Sequence, residues 1–487
     1  MKMRLLSVIP ALVLGGWLAG CAVGPNYQRA EVPTPPAFAE AGPWKQAAPA
    51  DELAKGDWWT VFNDAPLNDL EGKATQSNQQ LQAAIARVDQ ARSISRVARS
   101  ELFPTVTTDP AGEELRNSPN ATQTLPGQSS DVRVPVDLTY EVDAWGRVRR
   151  TVEAAQAGVQ ASVADEETVR LTLHAEVAQN YFTLRATDSE LAILTSAIDL
   201  RQQELDLIRA RYQAGSSSDL DVSRAETELT DAKAELATVR ERRAELEHAL
   251  AVLEGAAAES FHIAASPLGG VPPAIPQGVP SDLLERRPDV ASAERTMAAT
   301  NAQIGVAKAA FFPVIQLTGA AGFESADLGS LFDWSSRVWS IGPSVSLPIF
   351  DGGKNTANLN RSEAAYDEAV ANYRQQVLTS FAEVENGLSS LRNLSDQAAA
   401  EQSSVDSSQR AYKLSDLRYK TGTDTYLDVI DAERSALQSQ RAAAQTLGQR
   451  YVSSVLLVKA LGGGWRDSAI HAFASTEPSQ PQPTPAP

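Results

Sequence analysis

The chain has 487 residues, 61 acidic against 43 basic, and a formal net charge of −18, an acidic balance that argues against binding nucleic acid or anionic lipid through charge. Its single cysteine, Cys21, excludes a disulfide framework and a thiolate metal site. Beyond the N-terminal leader no stretch approaches the roughly 18 apolar residues of a spanning helix, so any membrane crossing has to be made by β-strands.

In chain order, Lys2 and Arg4 precede an apolar run from Leu5 to Leu18 that ends in Leu18-Ala19-Gly20-Cys21. Residues 1–20 read as a signal peptide. Leu-Ala-Gly-Cys resembles a bacterial lipobox, which makes Cys21 the first mature residue and the site of a covalent lipid. Ala22 behind it, rather than Asp, favours delivery to the outer membrane. Removal of the leader takes the net charge to −20.

The mature chain is organised by proline. None occurs from Val136 to Ser266 or from Ile349 to Glu477, and both blocks are rich in Ala, Glu, Gln, Arg and Leu, a long-helix composition. In the first, Val177, Leu184, Leu191, Ile198, Leu205 and Tyr212 recur every seven residues. In the second, Val370, Val377, Val384, Leu391, Ala398, Val405, Tyr412 and Tyr419 do the same. A repeat sustained this long is a coiled-coil seam.

The blocks are copies. Arg211-Tyr212, Gly215, Leu220-Asp221-Val222 and Ala225-Glu226 align with Arg418-Tyr419, Gly422, Leu427-Asp428-Val429 and Ala432-Glu433 at a constant offset of 207. Leu102-Phe103-Pro104 and Phe311-Phe312-Pro313 correspond further upstream. Each copy is expected to run helix (about 77–101 and 289–310), strand pair, long helix (about 147–211 and 353–420), glycine turn, shorter helix. Gly215 and Gly422 suit the left-handed position that ends a helix. Ser218-x-x-Asp221 and Thr425-x-x-Asp428 suit capping boxes that start the next. Residues 21–76 would form the lipidated N-terminal segment and part of an equatorial region, 77–270 the first repeat, 271–288 a linker, 289–462 the second repeat. Residues 463–487 would add an equatorial segment and a disordered proline-rich tail from about Ser475.

The strand segments carry the membrane signal. Val132, Val134, Val136, Leu138, Tyr140 and Val142 alternate with Arg133, Asp137, Thr139 and Glu141. In the second copy Trp339, Ile341, Val345, Leu347 and Ile349 alternate with Ser340, Gly342, Ser344 and Ser346. Such alternation marks strands with lipid on one face and a wet lumen on the other. Residues 102–116 and 312–324 are the partner strands, joined across loops near 117–130 and 325–337. Pro135 and Pro348 are tolerable only near strand ends or irregularities. Four strands cannot close a barrel without leaving unpaired edges in lipid, so several chains have to share one.

No catalytic constellation is visible. His174, His248, His262 and His471 lack paired metal spacing, Glu-Leu-Glu-His at 245–248 reads as a solvated helical face, and neither a phosphate-binding Gly-x4-Gly-Lys-Ser/Thr loop nor a Gly-x-Ser-x-Gly elbow occurs. The reading is a duct, not an enzyme, with no cofactor apart from the lipid on Cys21.

Several motifs together resemble the outer-membrane factor family of TolC-like channels, in its lipidated NodT-type subgroup. They are Cys21 with Gly24-Pro25-Asn26-Tyr27, Trp58-Trp59, Phe103-Pro104, Asp143-Ala144-Trp145-Gly146-Arg147, Glu285-Arg286-Arg287-Pro288-Asp289-Val290, Pro348-Ile349-Phe350-Asp351-Gly352-Gly353 and Arg418-Tyr419-Lys420-Thr421-Gly422. The resemblance implies an α+β membrane fold: a homotrimer sharing one twelve-stranded transmembrane β-barrel, four strands per chain, continuous with a periplasmic α-helical barrel. It also implies a periplasmic adaptor and an inner-membrane pump of RND type as partners, and export of small toxic compounds. Polypeptide secretion through the same duct, or a poreless structural coiled-coil lipoprotein, are the alternatives. Carried over from the family, Leu427 and Asp431 form the main constriction with Asp428 beside them, and Tyr419 and Arg418 act as latch residues. Asp221, Arg224 and Asp424 are candidate gate partners, with Arg224 or Arg418 expected to pair with a carboxylate at the tip. Asp428 also reads as a helix cap, and Tyr419 also continues the seam.

Overall fold

The computed structural model describes residues 22–35, 37–40, 57–118, 120, 127–275 and 287–463. The signal peptide, Cys21, Glu285-Arg286 and the proline-rich tail lie outside them. Seven α-helices are present among the described residues: α1 (Ala65–Ser77), α2 (Gln79–Ser100), α3 (Arg147–Gln213), α4 (Asp219–Leu253), α5 (Pro288–Ala309), α6 (Lys354–Lys420) and α7 (Tyr426–Ala460). The copies match in length as well as in order: α2 and α5 have 22 residues each, α3 and α6 have 67, α4 and α7 have 35. At 1.5 Å per residue α3 and α6 each extend about 100 Å. The helix expected over 77–101 is α2, within two residues at either end; Asn78, with an extended backbone, accepts from the Leu81 amide and so caps it, while α1 lies before it, almost wholly in the segment 21–76, where no helix was expected.

The chain divides into two compact units, and neither is one of the sequence repeats. Of the described residues, the first comprises those within 22–31, 87–163 and 292–374, the second those within 32–86, 164–275, 287–291 and 375–463.

The first unit contains the sheet, formed by β1 (Thr105–Thr107), β2 (Ala111–Asn117), β3 (Gly127–Glu141), β4 (Val314–Ser325) and β5 (Arg337–Ser346), all antiparallel. β1 and β2 both pair with β3 and keep one register, Thr107 opposite Asp137 and Ala111 opposite Arg133, so they are a single strand in space. The interruption falls at Thr108-Asp109-Pro110, across from Pro135. Proline has no N–H to give a ladder, and Pro110 lies in this break with Pro135 across from it; Thr108 Oγ1 donates to the Pro135 carbonyl at 2.7 Å instead. Pro135 thus sits at an irregularity, as the sequence requires.

Register decides what each face of the sheet carries. Val136 stands opposite Ala321, which stands opposite Trp339; Leu138, Gly319 and Ile341 line up in the same way, as do Tyr140, Leu317 and Pro343. The other face aligns Thr139 with Thr318 and Gly342, and Glu141 with Gln316 and Ser344. The apolar face is uncovered: Trp339 is 77% and Ile341 71% exposed. β5 pairs only with β4, and β1 and β2 pair only with β3, so both edges of the sheet are open among the described residues.

Also in the first unit, the Gly-Pro-Asn-Tyr segment is pinned along its length. Gly24 has φ +99°, and a Cβ there would lie 2.5 Å from the Gly305 Cα, so only glycine permits this approach. Arg150 Nη2 donates to Asn26 Oδ1 at 2.8 Å, Tyr27 donates to Glu294 at 2.8 Å, and Arg29 Nε donates to the Tyr373 hydroxyl at 3.0 Å. Asp143 caps α3 by accepting from the Val148 and Arg149 amides, while Trp145 stacks on Phe312 and donates to the Pro313 carbonyl. The Gly-Pro-Asn-Tyr and Asp-Ala-Trp-Gly-Arg motifs are therefore joints of the scaffold.

The second unit is built on the seam. Val177, Leu184 and Val384 are fully buried, together with Trp58, Leu67, Tyr181, Phe182 and Val455. Trp59 stacks on His174, whose Nδ1 lies 2.7 Å from the Glu71 carboxylate in the interior. Burial lowers the His174 pKa to about 4 and raises that of Glu71, which favours the neutral form of both groups. Arg287, 6% exposed, pairs with Asp289 and with Glu383 at 2.6 Å and donates to the Ala460 carbonyl, closing the last turn of α7.

Candidate functional site

The two interhelical turns, α3–α4 and α6–α7, both lie in the second unit and are built alike. At the first, the Ser216 amide donates to the Arg211 carbonyl and the Gly215 amide to the Tyr212 carbonyl, both at 2.9 Å; at the second, Thr423 bonds Arg418 at 2.9 Å and Gly422 bonds Tyr419 at 3.0 Å. Both are Schellman closures, with φ +74° at Gly215 and +79° at Gly422. A capping box follows each: Ser218 with Asp221, Thr425 with Asp428. Asp428 is therefore a cap, and the hydrogen bonds from Thr425 hold its carboxyl below the usual aspartate range. At Asp221, burial pushes the pKa up, but the bonds from Ser218 and Ser217 and the charge of Arg224 together outweigh it and the net direction is downward.

Leu427 and Asp431 are one helical turn apart on α7, and both are exposed, Leu427 at 41%. With Asp428 they form one solvent-facing patch behind the second turn. Arg418 Nη2 lies 2.8 Å from Asp424 Oδ1, and Arg224 lies 3.9 Å from Asp221. Both arginines thus reach tip carboxylates of their own chain, and Asp424, where a basic residue would have suited a different latch, is the partner of Arg418. Tyr419 is half-buried, with the Arg211 guanidinium 4.7 Å from its ring centroid and Tyr426 5.5 Å away, so it packs and faces a cation together.

What the sequence reading missed lies a few turns further along the helices. Arg201 of α3 is 5% exposed; its Nε donates to Glu433 of α7 at 2.8 Å and its Nη1 to the Glu228 carbonyl of α4 at 2.7 Å. Arg434 also binds Glu228, and Tyr412 of α6 donates to Glu204 of α3 at 2.9 Å. One polar knot therefore joins all four helices inside the apolar cluster of Leu205, Ile208, Leu229, Val429 and Ile430. The signal was present: Arg201 stands three residues after Ile198, at the second apolar position of its heptad, where a charge is out of pattern.

The family model described as "Outer membrane efflux protein" matches residues 70–256 and again 279–463, once for each copy. The chain is 35% identical over 477 residues to the solvent efflux pump outer membrane protein SrpC of Pseudomonas putida, covering 96% of this chain and 99% of that one. It is 34% identical over 475 residues to the outer membrane protein OprJ of Pseudomonas aeruginosa, covering 95% and 98%. Among solved structures, the outer-membrane channel OprN superposes with a TM-score of 0.85 at 30% identity, over 91% of this chain and all of that one. The fold is thus that of the TolC-like outer-membrane channels. This chain belongs to the outer membrane efflux protein family: it is an outer-membrane efflux channel, a transport protein and not an enzyme.

Proposed function

We propose that three copies of this chain form one twelve-stranded barrel in the outer membrane and a helical duct below it, held by a lipid on Cys21. The single observation that carries this reading is the sheet. It has an uncovered apolar face, a polar face in register behind it and unpaired strands at both edges, an arrangement that lipid tolerates only in a closed ring. The described residues hold no helix long and apolar enough to cross a membrane.

The partners are a periplasmic adaptor and an inner-membrane pump of the RND type, and the cargo is small and apolar. The name of SrpC, a solvent pump component, supports this choice over polypeptide export. Leu427 and Asp431 form the constriction, with Asp428 at its rim. Three copies of an exposed aspartate around a narrow bore attract cations and repel one another. The latch is Arg418–Asp424, which ties the end of α6 to the turn before α7.

Single-channel conductance in planar bilayers tests this. The wild type is expected to give a small cation-selective conductance that rises and loses selectivity in Asp428→Ser/Asp431→Ser. An unchanged pore would move the gate away from these carboxylates, and no conductance from well-formed trimers would overturn the duct.

A further inference from the structure

Beside the polar knot, a cavity of about 240 Å³ opens among α3, α6 and α7, and the gate reading gives it no role. Its walls carry Tyr412, Tyr419 and Tyr426, its floor Ile208 and Val429, and its acidic groups are Glu204 and Asp416. Asp416 is already paired, to Lys420 at 2.7 Å. Glu204 is not balanced in the same way. Its Oε1 accepts from Tyr412, while its Oε2 is shielded from solvent and has no hydrogen-bond partner. The arginine on its own helix, Arg201, is spent on Glu433 and Glu228.

We propose that this cavity is a binding site for a small aryl-alkyl ammonium, whose N–H group satisfies Glu204 and whose ring packs among the three tyrosines. Tyrosine faces attract cations, and a buried carboxylate without a counter-ion gains most from one. A cavity this size accepts a molecule of about ten heavy atoms, a little below the roughly 300–1,000 Å³ of sites for drug-sized ligands. Oε2 reaches the ligand by rotation of the terminal carboxylate torsion, which is broad and soft.

The site is linked to protons. Burial, with a smaller push from Glu433, raises Glu204 to about 7. The other groups facing it or the cavity are Arg201 on its own helix, Tyr412, Asp416 and Lys420 on α6, and Glu433 and Tyr426 on α7. A ligand that needs the carboxylate ionised binds about tenfold more weakly at pH 6 than at pH 8, since the competent fraction falls by that factor.

The test is calorimetric titration of phenethylammonium, and of neutral 2-phenylethanol, into the full-length purified protein in detergent at both pH values. The ammonium is expected to bind at pH 8, to weaken about tenfold at pH 6, and to bind at least tenfold better than the alcohol. Glu204→Gln should abolish the pH dependence and the preference for charge. Leu207→Trp, at a partly exposed wall position, should block the cavity while every carboxylate stays in place, which separates this site from the acidic patch at the tip. Equal affinity for the alcohol, no binding, or full binding to a folded Glu204→Gln or Leu207→Trp protein would overturn the proposal.

Discussion

The two turns share a backbone and differ in charge. Schellman closure, αL glycine and capping box repeat at an offset of 207 with hydrogen bonds that agree within 0.1 Å at the closures. The side chains around them have parted. Asp424 of the second turn corresponds to Ser217 of the first, Asp431 to Arg224, and the buried Arg201 of α3 to Ser408 of α6. Duplication kept what the chain needs in order to reverse direction, and varied the groups that face water or the partner hairpin. A turn is fixed by a few local dihedrals. A charge on its rim is free to change, because its cost is set by what it meets.

The largest break in this comparison should come from making the first copy like the second at the knot. Arg201→Ser installs the repeat's own residue but strands Glu433 in the interior and leaves Glu228 with Arg434 alone, and breaking a buried pair in this way costs about 3–5 kcal/mol. The thermal midpoint of the helical circular-dichroism signal in detergent measures it. If the midpoint did not move, the knot would not be holding the helices together. Restoration by the further change Glu433→Leu would show that the loss came from the orphaned charge.

A middle-sized effect sharpens the comparison. Gly215→Ala and Gly422→Ala each force a Cβ into left-handed backbone with open space around it, for about 1–2 kcal/mol. The two losses should be equal if only the backbone matters. A clearly larger loss at Gly422 would mean that the Arg418–Asp424 contact depends on that turn's shape.

The smallest effect concerns pH. The folded pKa of Glu204, about 7, lies above that of an unfolded glutamate. Its contribution is therefore fully present below the unfolded value and is lost as pH rises through 7. Its repeat counterpart is Ala411, so the second copy has no matching titration. Glu204→Gln should remove part of the stability decline between pH 6 and 8, followed by denaturant midpoints across that range. An identical decline in the variant would assign it to another group.

Much of the scaffold was legible because its causes are local. Proline-free blocks and a seven-residue seam gave α3 and α6 to within two residues at either end, and Gly215, Gly422, Ser218 and Thr425 gave both turns together with their caps. Alternation gave the strands, and the offset of 207 gave the duplication. The short helix α1 was missed because its 13 residues are too few for a sustained seven-residue repeat to show. The site was legible in part. Asp428 as a cap could be read from spacing, while the pairing of an arginine with a carboxylate at the tip was an expectation that came with the family resemblance. The choice of Asp424 as the partner of Arg418 could be read from neither.

By itself, then, the sequence determined the helices, their lengths, the turns and the alternating strands, since these follow from dihedral preference, periodicity and capping within a few residues of each position. Only the tertiary structure decided that the break at Thr108-Asp109-Pro110 falls across from Pro135. It also decided that Arg201, Glu228 and Glu433 share one buried knot, and that one oxygen of Glu204 has no hydrogen-bond partner beside a tyrosine-walled cavity. Those facts join residues tens to hundreds of positions apart. Their energies depend on burial and on which partner is already taken, and neither is a property of a residue's neighbours along the chain.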